Sequence, residues 1–341
     1  MRDIVKKRSW VRRKMMLVIL ITTMLLVVGC GQQDAGESNT LRVGYFPNIT
    51  HAAAIVGVEQ GIFQEELGST LVQTQVFPNG SLLMDAIVTG QIDIGYAGPE
   101  PIINRYLQGA DVVVLGGAAS GGNVVVASRD SGVRNVAELA SKVVATPALG
   151  CTHDIELRAL MAEEGLHMEN SGGNVAHRTQ KPALMINLME QGELDAVSVS
   201  EPWASLMEEK IGAKVIVEWD EMPWDGKLPS ALLVASKQFV EEHPEIVRKL
   251  LKAHLASIEQ INKNPKEAVK VVNTHISNLT KSKLSSAVIE KSLQRTRITH
   301  QVDPKVLNEL VSKAAKLGFF EKTDVDGLVD TTILDEVARN K

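Results

Sequence analysis

The sequence GQIDIGYAGPEP at residues 90–101 has a counterpart 102 positions further along the chain, GELDAVSVSEP at residues 192–202. In both copies a Gly-x-apolar-Asp tetrapeptide leads into a run of small and apolar residues and then a Glu-Pro pair, which is out of step by one residue in the second copy. The same shift superimposes Thr50-His51 on Thr152-His153. Because a fixed internal period indicates a repeated unit, the sequence predicts two lobes of one architecture.

Around this repeat, short apolar runs alternate with amphipathic stretches from Leu41 onward. Such alternation is typical of β-α-β units, in which helices join parallel strands. The predicted fold class is therefore α/β. Strands are predicted at residues 41–46, 70–77, 92–97, 112–117, 124–128, 142–146, 194–200, 214–219 and 231–236.

The order of these elements predicts lobes that are interleaved along the chain. Val126-Ala-Ser-Arg129 resembles Val234-Ala-Ser-Lys237, and we interpret these segments as the crossings that leave lobe one and return to it. Two crossings would form a hinge on which the lobes close around a ligand. The predicted domains are residues 41–127 together with 231–341 for lobe one, including the C-terminal helices, and residues 128–230 for lobe two.

The first 29 residues have the pattern of an export signal. Basic residues up to Lys14 precede the apolar run MMLVILITTMLLVVG, which is shorter than the roughly 20 residues that a membrane span requires. The run ends in Val-Val-Gly-Cys30, the pattern of a bacterial lipoprotein. We therefore expect lipid on Cys30, a tether at residues 30–40 and a body held at the extracytoplasmic face of the cell membrane. The alternative is an uncleaved anchor helix.

The charge distribution limits the partners of the body. The signal segment contributes +6 to a net charge of -5, which leaves -11 for the rest of the chain. An acidic body argues against nucleic acid as a partner. It does not exclude a small anion, because helix N-termini carry unpaired N–H groups and a partial positive charge.

Four loops lie where predicted strands lead into helices, namely Pro47–His51, Gly98–Pro101, Gly150–His153 and Ser200–Trp203. Ligands of α/β proteins bind at the carboxyl ends of the strands, so we expect these loops to surround one cleft. Thr152 has two compatible interpretations, as a helix N-cap and as a hydroxyl donor to a ligand.

Other residues of these loops also admit two interpretations. Tyr45 and Tyr96 end predicted strands and are candidates to cover an apolar part of a ligand, whereas core packing explains Trp203 equally well. Glu100 and Glu201 either accept a hydrogen bond from a ligand amine or are solvated turn residues.

A metal site and an enzyme are the two alternatives to a binding site. His51 and His153 occupy matched positions with Cys151 and Asp154 close in sequence, a donor set that would suit zinc. The Cys-x-His spacing is not a recognised structural zinc pattern, so we predict no metal and no cofactor. The loop GGAASGGN at residues 116–123 is neither a P-loop nor a nucleophile elbow, which favours a protein that is not an enzyme. An extracellular enzyme that uses Cys151 and His153 is the alternative.

Five segments together resemble one protein family. They are LRVGYFPNITHAAAIVGVEQGIF (41–63), GQIDIGYAGPEPII (90–103), LGCTHDIELRALMAEEGL (149–166), GELDAVSVSEPWAS (192–205) and HPEIVRKLLKAHLASIEQINKNP (243–265). They resemble the sulfonate/taurine/nitrate group of solute-binding lipoproteins of ABC transporters. The resemblance implies the periplasmic-binding-protein type II fold, with two α/β lobes joined by two crossing segments and a ligand cleft between them.

The resemblance also implies which residues meet the ligand. In such proteins the acidic group of the ligand meets a helix N-terminus like that at Cys151–Thr152, and loops from both lobes line the cleft. The candidate ligand-binding residues are Tyr45, Asn48, His51, Tyr96, Gly98, Ser120, Gly121, Cys151, Thr152, His153, Glu201 and Trp203.

The function implied is capture of a small anionic organic solute, with an aliphatic sulfonate or a taurine-like compound expected first. The monomeric protein would deliver this solute to a membrane permease driven by a cytoplasmic ATPase. A pyrimidine precursor, another anion and a zinc-binding receptor are the alternatives. Gly150-Cys151-Thr152 stands where sulfonate binders often have Gly-Ser-Thr, and this departure leaves the solute open.

Overall fold

The computed structural model describes residues 40–280 and 284–340. Residues from Thr40 onward form one compact unit. The predicted signal segment, Cys30 and the tether up to residue 39 lie outside the described residues, and Thr40 is the first residue of the first strand. Within the described ranges, no helix has the length and apolar character that crossing a membrane requires.

The first sheet has six strands in the order β11-β4-β10-β3-β1-β2. β1 is parallel to β2 and β3, whereas β10 is antiparallel to both of its neighbours. The strands are β1 Thr40–Tyr45, β2 Leu71–Val76, β3 Ile94–Ala97, β4 Val112–Gly121, β10 Pro229–Ser236 and β11 Thr296–Ile298.

The second sheet has five strands in the order β7-β6-β8-β5-β9. β6 is parallel to β7 and β8, and β5 is antiparallel to β8 and β9. The strands are β5 Asn123–Ala127, β6 Val143–Thr146, β7 Ala176–Thr179, β8 Ala196–Ser200 and β9 Lys214–Val217.

Helices cover both sheets. They are α1 Ala52–Glu59, α2 Ile62–Leu67, α3 Gly80–Val88, α4 Pro99–Leu107, α5 Thr152–Glu163, α6 Pro182–Glu190, α7 Trp203–Ile211, α8 Lys237–Glu242, α9 Pro244–Lys263, α10 Pro265–Thr280, α11 Ser286–Gln294, α12 Pro304–Lys316 and α13 Thr332–Arg339. Alternation along β1 sends Leu41, Val43 and Tyr45 into a core shared with α1, α9 and α10. On the opposite face of the first sheet, Leu83 and Ile87 of α3 pack in a second core together with α12.

The internal repeat is confirmed as two lobes of one topology. The order β4-β10-β3-β1-β2 in the first sheet matches β9-β5-β8-β6-β7 in the second, with the same parallel and antiparallel pairs. The repeated aspartates have one role in both lobes. Asp93 Oδ2 accepts a hydrogen bond from the Arg42 N–H at 2.7 Å, and Asp195 Oδ2 accepts one from the Val143 N–H at 2.8 Å. Each carboxylate thus joins the start of the central parallel strand to its neighbour.

The crossings lie at other residues than predicted. β5 belongs to the second sheet, so the chain leaves the first lobe at Gly121–Gly122 and not after residue 127. The chain returns between β9 and β10, at residues 218–228, and residues 229 and 230 already belong to the first sheet.

The two similar segments that suggested the crossings are equivalent strands instead. Val126 lies opposite Val197 in β8, and Val234 lies opposite Gly95 in β3. Because Gly95 and Val197 are themselves related by the repeat, the similarity marks the antiparallel strand that each lobe inserts beside the same parallel strand. The similarity is real, but these segments are not the crossings.

Candidate functional site

Four helices begin beyond the carboxyl ends of parallel strands, at the four loops predicted from the sequence. α1 follows β1, α4 follows β3, α5 follows β6 and α7 follows β8. These starts differ in how the first-turn N–H groups are satisfied, and that difference determines which of them can take a ligand.

The start of α5 carries no side-chain cap. Its N-cap residue is Cys151, whose side chain makes no capping hydrogen bond, and Thr152 is the first helical residue and not the cap. The first-turn N–H groups of Thr152 and His153 have no carbonyl four residues earlier within the helix. They therefore present hydrogen-bond donors, with the positive end of the helix dipole, at the carboxyl edge of the second sheet.

Hydrogen bonds to the Asp154 side chain fix the loop before α5. The backbone N–H of Gly150 donates to Asp154 Oδ2 at 2.8 Å, and the Arg158 Nε donates to Asp154 Oδ1 at 2.9 Å. Asp154 is fully buried. Its carboxylate oxygens therefore accept from the loop and from Arg158.

The two helix starts of the first lobe are closed. The turn Ile49–His51 precedes α1, and Asn48 Oδ1 caps it by accepting from the Thr50 N–H at 3.4 Å. α4 begins at Pro99 and has a second proline at position 101, and neither residue has an N–H to donate. Neither start offers the set of donors that α5 offers.

The start of α7 already has a carboxylate beside it, that of Glu201. This carboxylate accepts hydrogen bonds from the Ser205 N–H at 3.0 Å and from the Ser205 hydroxyl at 2.9 Å. It also accepts from the Ser292 hydroxyl at 3.1 Å and from Arg295 Nη1 at 3.0 Å. Glu201 is fully buried, so it is not a solvated turn residue, and its two oxygens already accept four hydrogen bonds, which leaves none for a ligand amine in this conformation.

Arg295 holds several acids of the second lobe together. Besides Glu201, its guanidinium donates to Glu208 at 2.7 Å and to Glu218 at 2.7 Å. Its backbone carbonyl accepts from the N–H of Gly122 at 2.8 Å. Arg295 therefore ties the first crossing to the start of α7 and to the start of the second crossing. Sequence reasoning missed this residue, because nothing near it in the sequence signals a partner.

Tyr45 and Tyr96 are buried in the core of the first lobe. The Tyr45 hydroxyl lies 3.1 Å from His275 Nε2, and the Tyr96 hydroxyl lies 3.0 Å from His254 Nδ1. His254 Nε2 in turn lies 2.8 Å from the Gly117 carbonyl oxygen, which makes the Tyr96 hydroxyl a donor to Nδ1. Both hydroxyls thus join the sheet to α9 and α10, and their contact with a ligand stays a prediction.

The matched histidines are in different states. His51 is buried against Phe46 and its Nδ1 accepts from the Phe46 N–H at 3.3 Å. His153 Nε2 is buried and has no hydrogen-bond partner, while its Nδ1 lies 3.9 Å from Cys151 Sγ. Burial lowers the pKa of His51 to about 3 and that of His153 to about 4, so both rings are neutral at pH 7.

Ser120 and Gly121 end β4 at the first crossing. Ser120 is buried and pairs with Pro229 and Arg297 of the neighbouring strands. Gly121 has φ +70, and a Cβ on it would lie 2.5 Å from the ring of Trp219. Only glycine fits at this position, so Gly121 has a structural role, and its contact with a ligand stays a prediction.

The edge near Gly98 contains a serine that sequence reasoning missed. A Cβ on Gly98 would lie 3.8 Å from the Ser230 carbonyl oxygen, an ordinary contact. The Ser230 hydroxyl is buried without a hydrogen-bond partner. In the second lobe, Trp203 is partly buried and packs against the main core, as its core interpretation expected.

The described residues contain no group of three or more His, Cys, Asp and Glu side chains arranged to hold a metal ion. Burial raises the pKa of the Cys151 thiol to about 11, so the thiolate that a nucleophile needs is scarce at pH 7.

Two sheets of one topology, joined by two crossings, with helix starts from both lobes at their carboxyl edges, define the two-lobed type II fold of periplasmic binding proteins. Residues 34–276 match the NMT1-like family, and the chain belongs to that family. The predicted resemblance to the sulfonate/taurine/nitrate group of binding proteins is confirmed.

Individual relatives agree with this assignment. The chain is 25% identical over 334 residues to a Bacillus subtilis (strain 168) protein assigned as an aliphatic sulfonates-binding protein, covering 93% of this chain and 95% of that one. It is 25% identical to the taurine-binding periplasmic protein of Escherichia coli (strain K12), over 62% and 64% of the two chains.

Solved structures share the fold. The periplasmic aliphatic sulphonate-binding protein of Escherichia coli superposes with a TM-score of 0.71 at 19% identity, over 84% of this chain and 89% of that chain. The periplasmic nitrate-binding protein of Synechocystis PCC 6803 gives a TM-score of 0.72 at 16% identity, over 89% of each chain.

Proposed function

We propose that this chain is the extracytoplasmic solute-binding component of an ABC importer and captures a small anionic organic solute, an aliphatic sulfonate or a taurine-like compound, at the start of α5. The observation that carries the proposal is the open first turn at Thr152 and His153, beside three helix starts that are capped, proline-blocked or occupied by a carboxylate. An anion bound there needs no net positive charge on the protein.

The remaining parts of the proposal follow from this role. The buried, unpartnered polar atoms of His153 and Ser230 would supply further hydrogen bonds to the solute. Of the predicted residues, those of the α5 start are proposed to hold the acidic group, and the others to shape the cleft. We also propose a monomer anchored through lipid on Cys30, which passes the solute to a permease with a cytoplasmic ATPase. The raised pKa of the Cys151 thiol supports a binding role over an enzyme.

The test removes the N–H and the hydroxyl of Thr152 and keeps the helix. Proline is tolerated at the first helical position, and the extended backbone of Cys151 suits a residue before proline. We expect Thr152→Pro to weaken binding of 1-propanesulfonate about tenfold or more, measured by calorimetry on the full chain in detergent. The matched control is Ser286→Pro, which changes the first residue of α11 behind its cap, Ser285, and should leave the affinity unchanged.

A thermal-shift screen tests the class of solute. Sulfonates, nitrate, carboxylates and pyrimidines are compared with cations and neutral sugars. A binding anion should stabilise the protein by about 2.7 kcal/mol at 100 times its Kd. If only cations or sugars stabilise the chain, the anion site at α5 is refuted.

A further inference from the structure

One buried acid close to the proposed anion site has no countercharge. Glu156 lies in the second turn of α5 and is 2% exposed. Its Oε2 accepts a hydrogen bond from Asn123 Nδ2 at 2.8 Å. Across the described part of the chain, no Lys, Arg or His forms an ion pair with this carboxyl group.

The position of Glu156 relates it to the open helix start. Glu156 and Thr152 are four residues apart, so they share one face of α5, and helical side chains lean toward the N-terminus. Asn123 is the first residue of β5 and pairs with Ser200, the last residue of β8. The acid and its amide therefore lie at the carboxyl edge of the second sheet, next to the crossing at Gly122.

The pKa of Glu156 is unusual for a glutamate. Burial raises the pKa of Glu156 to about 8, and the hydrogen bond from Asn123 offsets only part of this effect. A buried carboxylate is costly unless a cation pairs with it. The other buried acids near the cleft have their compensation, since Asp154 pairs with Arg158 and Glu201 pairs with Arg295. Among these three acids, Glu156 alone has an amide and no cation as its partner in the described residues.

We propose that Glu156 binds a protonated amine of the solute, so that the site selects a short zwitterion with its acid group on the first turn of α5 and its ammonium group against Glu156. This inference rests on the proposed function and names the class of solute within it. One helical turn rises about 5.4 Å, and the backward lean of the side chain shortens the separation further. A solute with two carbons between its charged groups matches that spacing.

The test compares two probes of one shape. Taurine and 1-propanesulfonate share the sulfonate and the chain length, and differ in an ammonium group against a methyl group. We expect the full-length protein to bind taurine about 10- to 100-fold more tightly, because hydrogen bonds between charged groups are the strong ones. Glu156→Gln keeps the shape and removes the ionisable carboxyl group, and should abolish this preference. Glu163→Gln, an exposed position on the same helix, is the control and should keep the preference.

A second measurement does not depend on a variant. At pH 7 the neutral form of Glu156 predominates, so an ammonium group that pairs with the carboxylate should release close to one proton. Calorimetry in buffers of different ionisation enthalpy should therefore show proton release with taurine and none with 1-propanesulfonate. Equal affinities in the wild-type protein, or tighter binding of 1-propanesulfonate, would overturn the role of Glu156 and leave the anion site standing. If neither probe binds, the proposed function itself fails and this inference fails with it.

Discussion

The two lobes share a topology and differ at the edge where a solute would bind. Asp93 and Asp195 make the same backbone hydrogen bond in both lobes. At the matched histidines the likeness ends, because His51 is paired within its loop and His153 Nε2 has no partner. Residues that repeat between the lobes therefore build the fold, whereas the helix start with open donors, among the four compared, belongs to the second lobe. A matched pair of residues in the sequence is therefore stronger evidence of a shared structural role than of a shared binding role.

The matched Glu-Pro turns give the strongest test of this comparison. Arg295→Met would leave the fully buried Glu201 carboxylate without its cation, and we expect a loss of about 3–5 kcal/mol of unfolding free energy. Among the described residues Glu100 forms no ion pair, and burial raises its pKa, which Asn104 and Arg105 offset only in part. Glu100→Gln should therefore change the stability by less than about 1 kcal/mol. Urea unfolding followed by circular dichroism measures both changes.

Arg129→Met is the control for the loss of an arginine. Arg129 pairs with Asp130 on the exposed surface of the second lobe, so its removal should have little effect. A loss at Arg295 no larger than that at Arg129 would show that the acid cluster contributes nothing to the link between the lobes.

Substitution of either repeated aspartate should lower the free energy of unfolding by a similar amount. Asp93→Ala and Asp195→Ala each leave the N–H of a central strand without its acceptor, and we expect each to cost about 1–3 kcal/mol. The sites lie in different sheets, so the costs should add in the double variant. Ligand affinity should stay unchanged. A selective loss of affinity in either variant would mean that the aspartate belongs to the site.

The matched histidines predict a smaller effect that depends on pH. Their pKa values are lowered in the folded chain, to about 3 for His51 and about 4 for His153, while the unfolded chain takes up protons near pH 6.5. Their contribution to stability is therefore complete above pH 6.5 and is lost as the pH falls toward these values. Each histidine contributes a slope of at most about 1.4 kcal/mol per pH unit.

His51→Gln and His153→Gln should each reduce the slope of stability against pH between pH 6 and 4. Urea midpoints at pH 6.5, 5.5 and 4.5 measure it, with His243→Gln, a partly buried position between α8 and α9, as the reference. An unchanged slope in both variants would show that these rings titrate normally.

The fold could be predicted from the sequence because its signals are local and repeated. Alternating apolar runs and a constant shift of 102 residues were enough for two α/β lobes and for the four loops at their edges. The crossings could not be placed, because a strand that inserts into the next sheet has the same pattern as one that stays. The similarity of Val126–Arg129 to Val234–Lys237 marks equivalent strands, and only their pairing partners reveal this.

The candidate site was less predictable for a physical reason. Whether a helix start is open depends on partners that are far away in the sequence, as Glu201 and Arg295 are. Tyr45 and Tyr96 were selected for their positions at strand ends, and their hydroxyls are bonded to histidines of the C-terminal helices. Glu156 had no sequence signal, because one acid in an amphipathic helix is ordinary until its surroundings are known.

The place of β10 has a consequence for the order in which the chain acquires its structure. β10 is a central strand of the first sheet, between β3 and β4, yet it begins only at Pro229. All five strands of the second sheet lie within residues 123–217, so they leave the ribosome before it. During synthesis the first sheet therefore lacks its central strand β10 at a time when all five strands of the second sheet are available. The lobe that is begun first is therefore the one that is finished last.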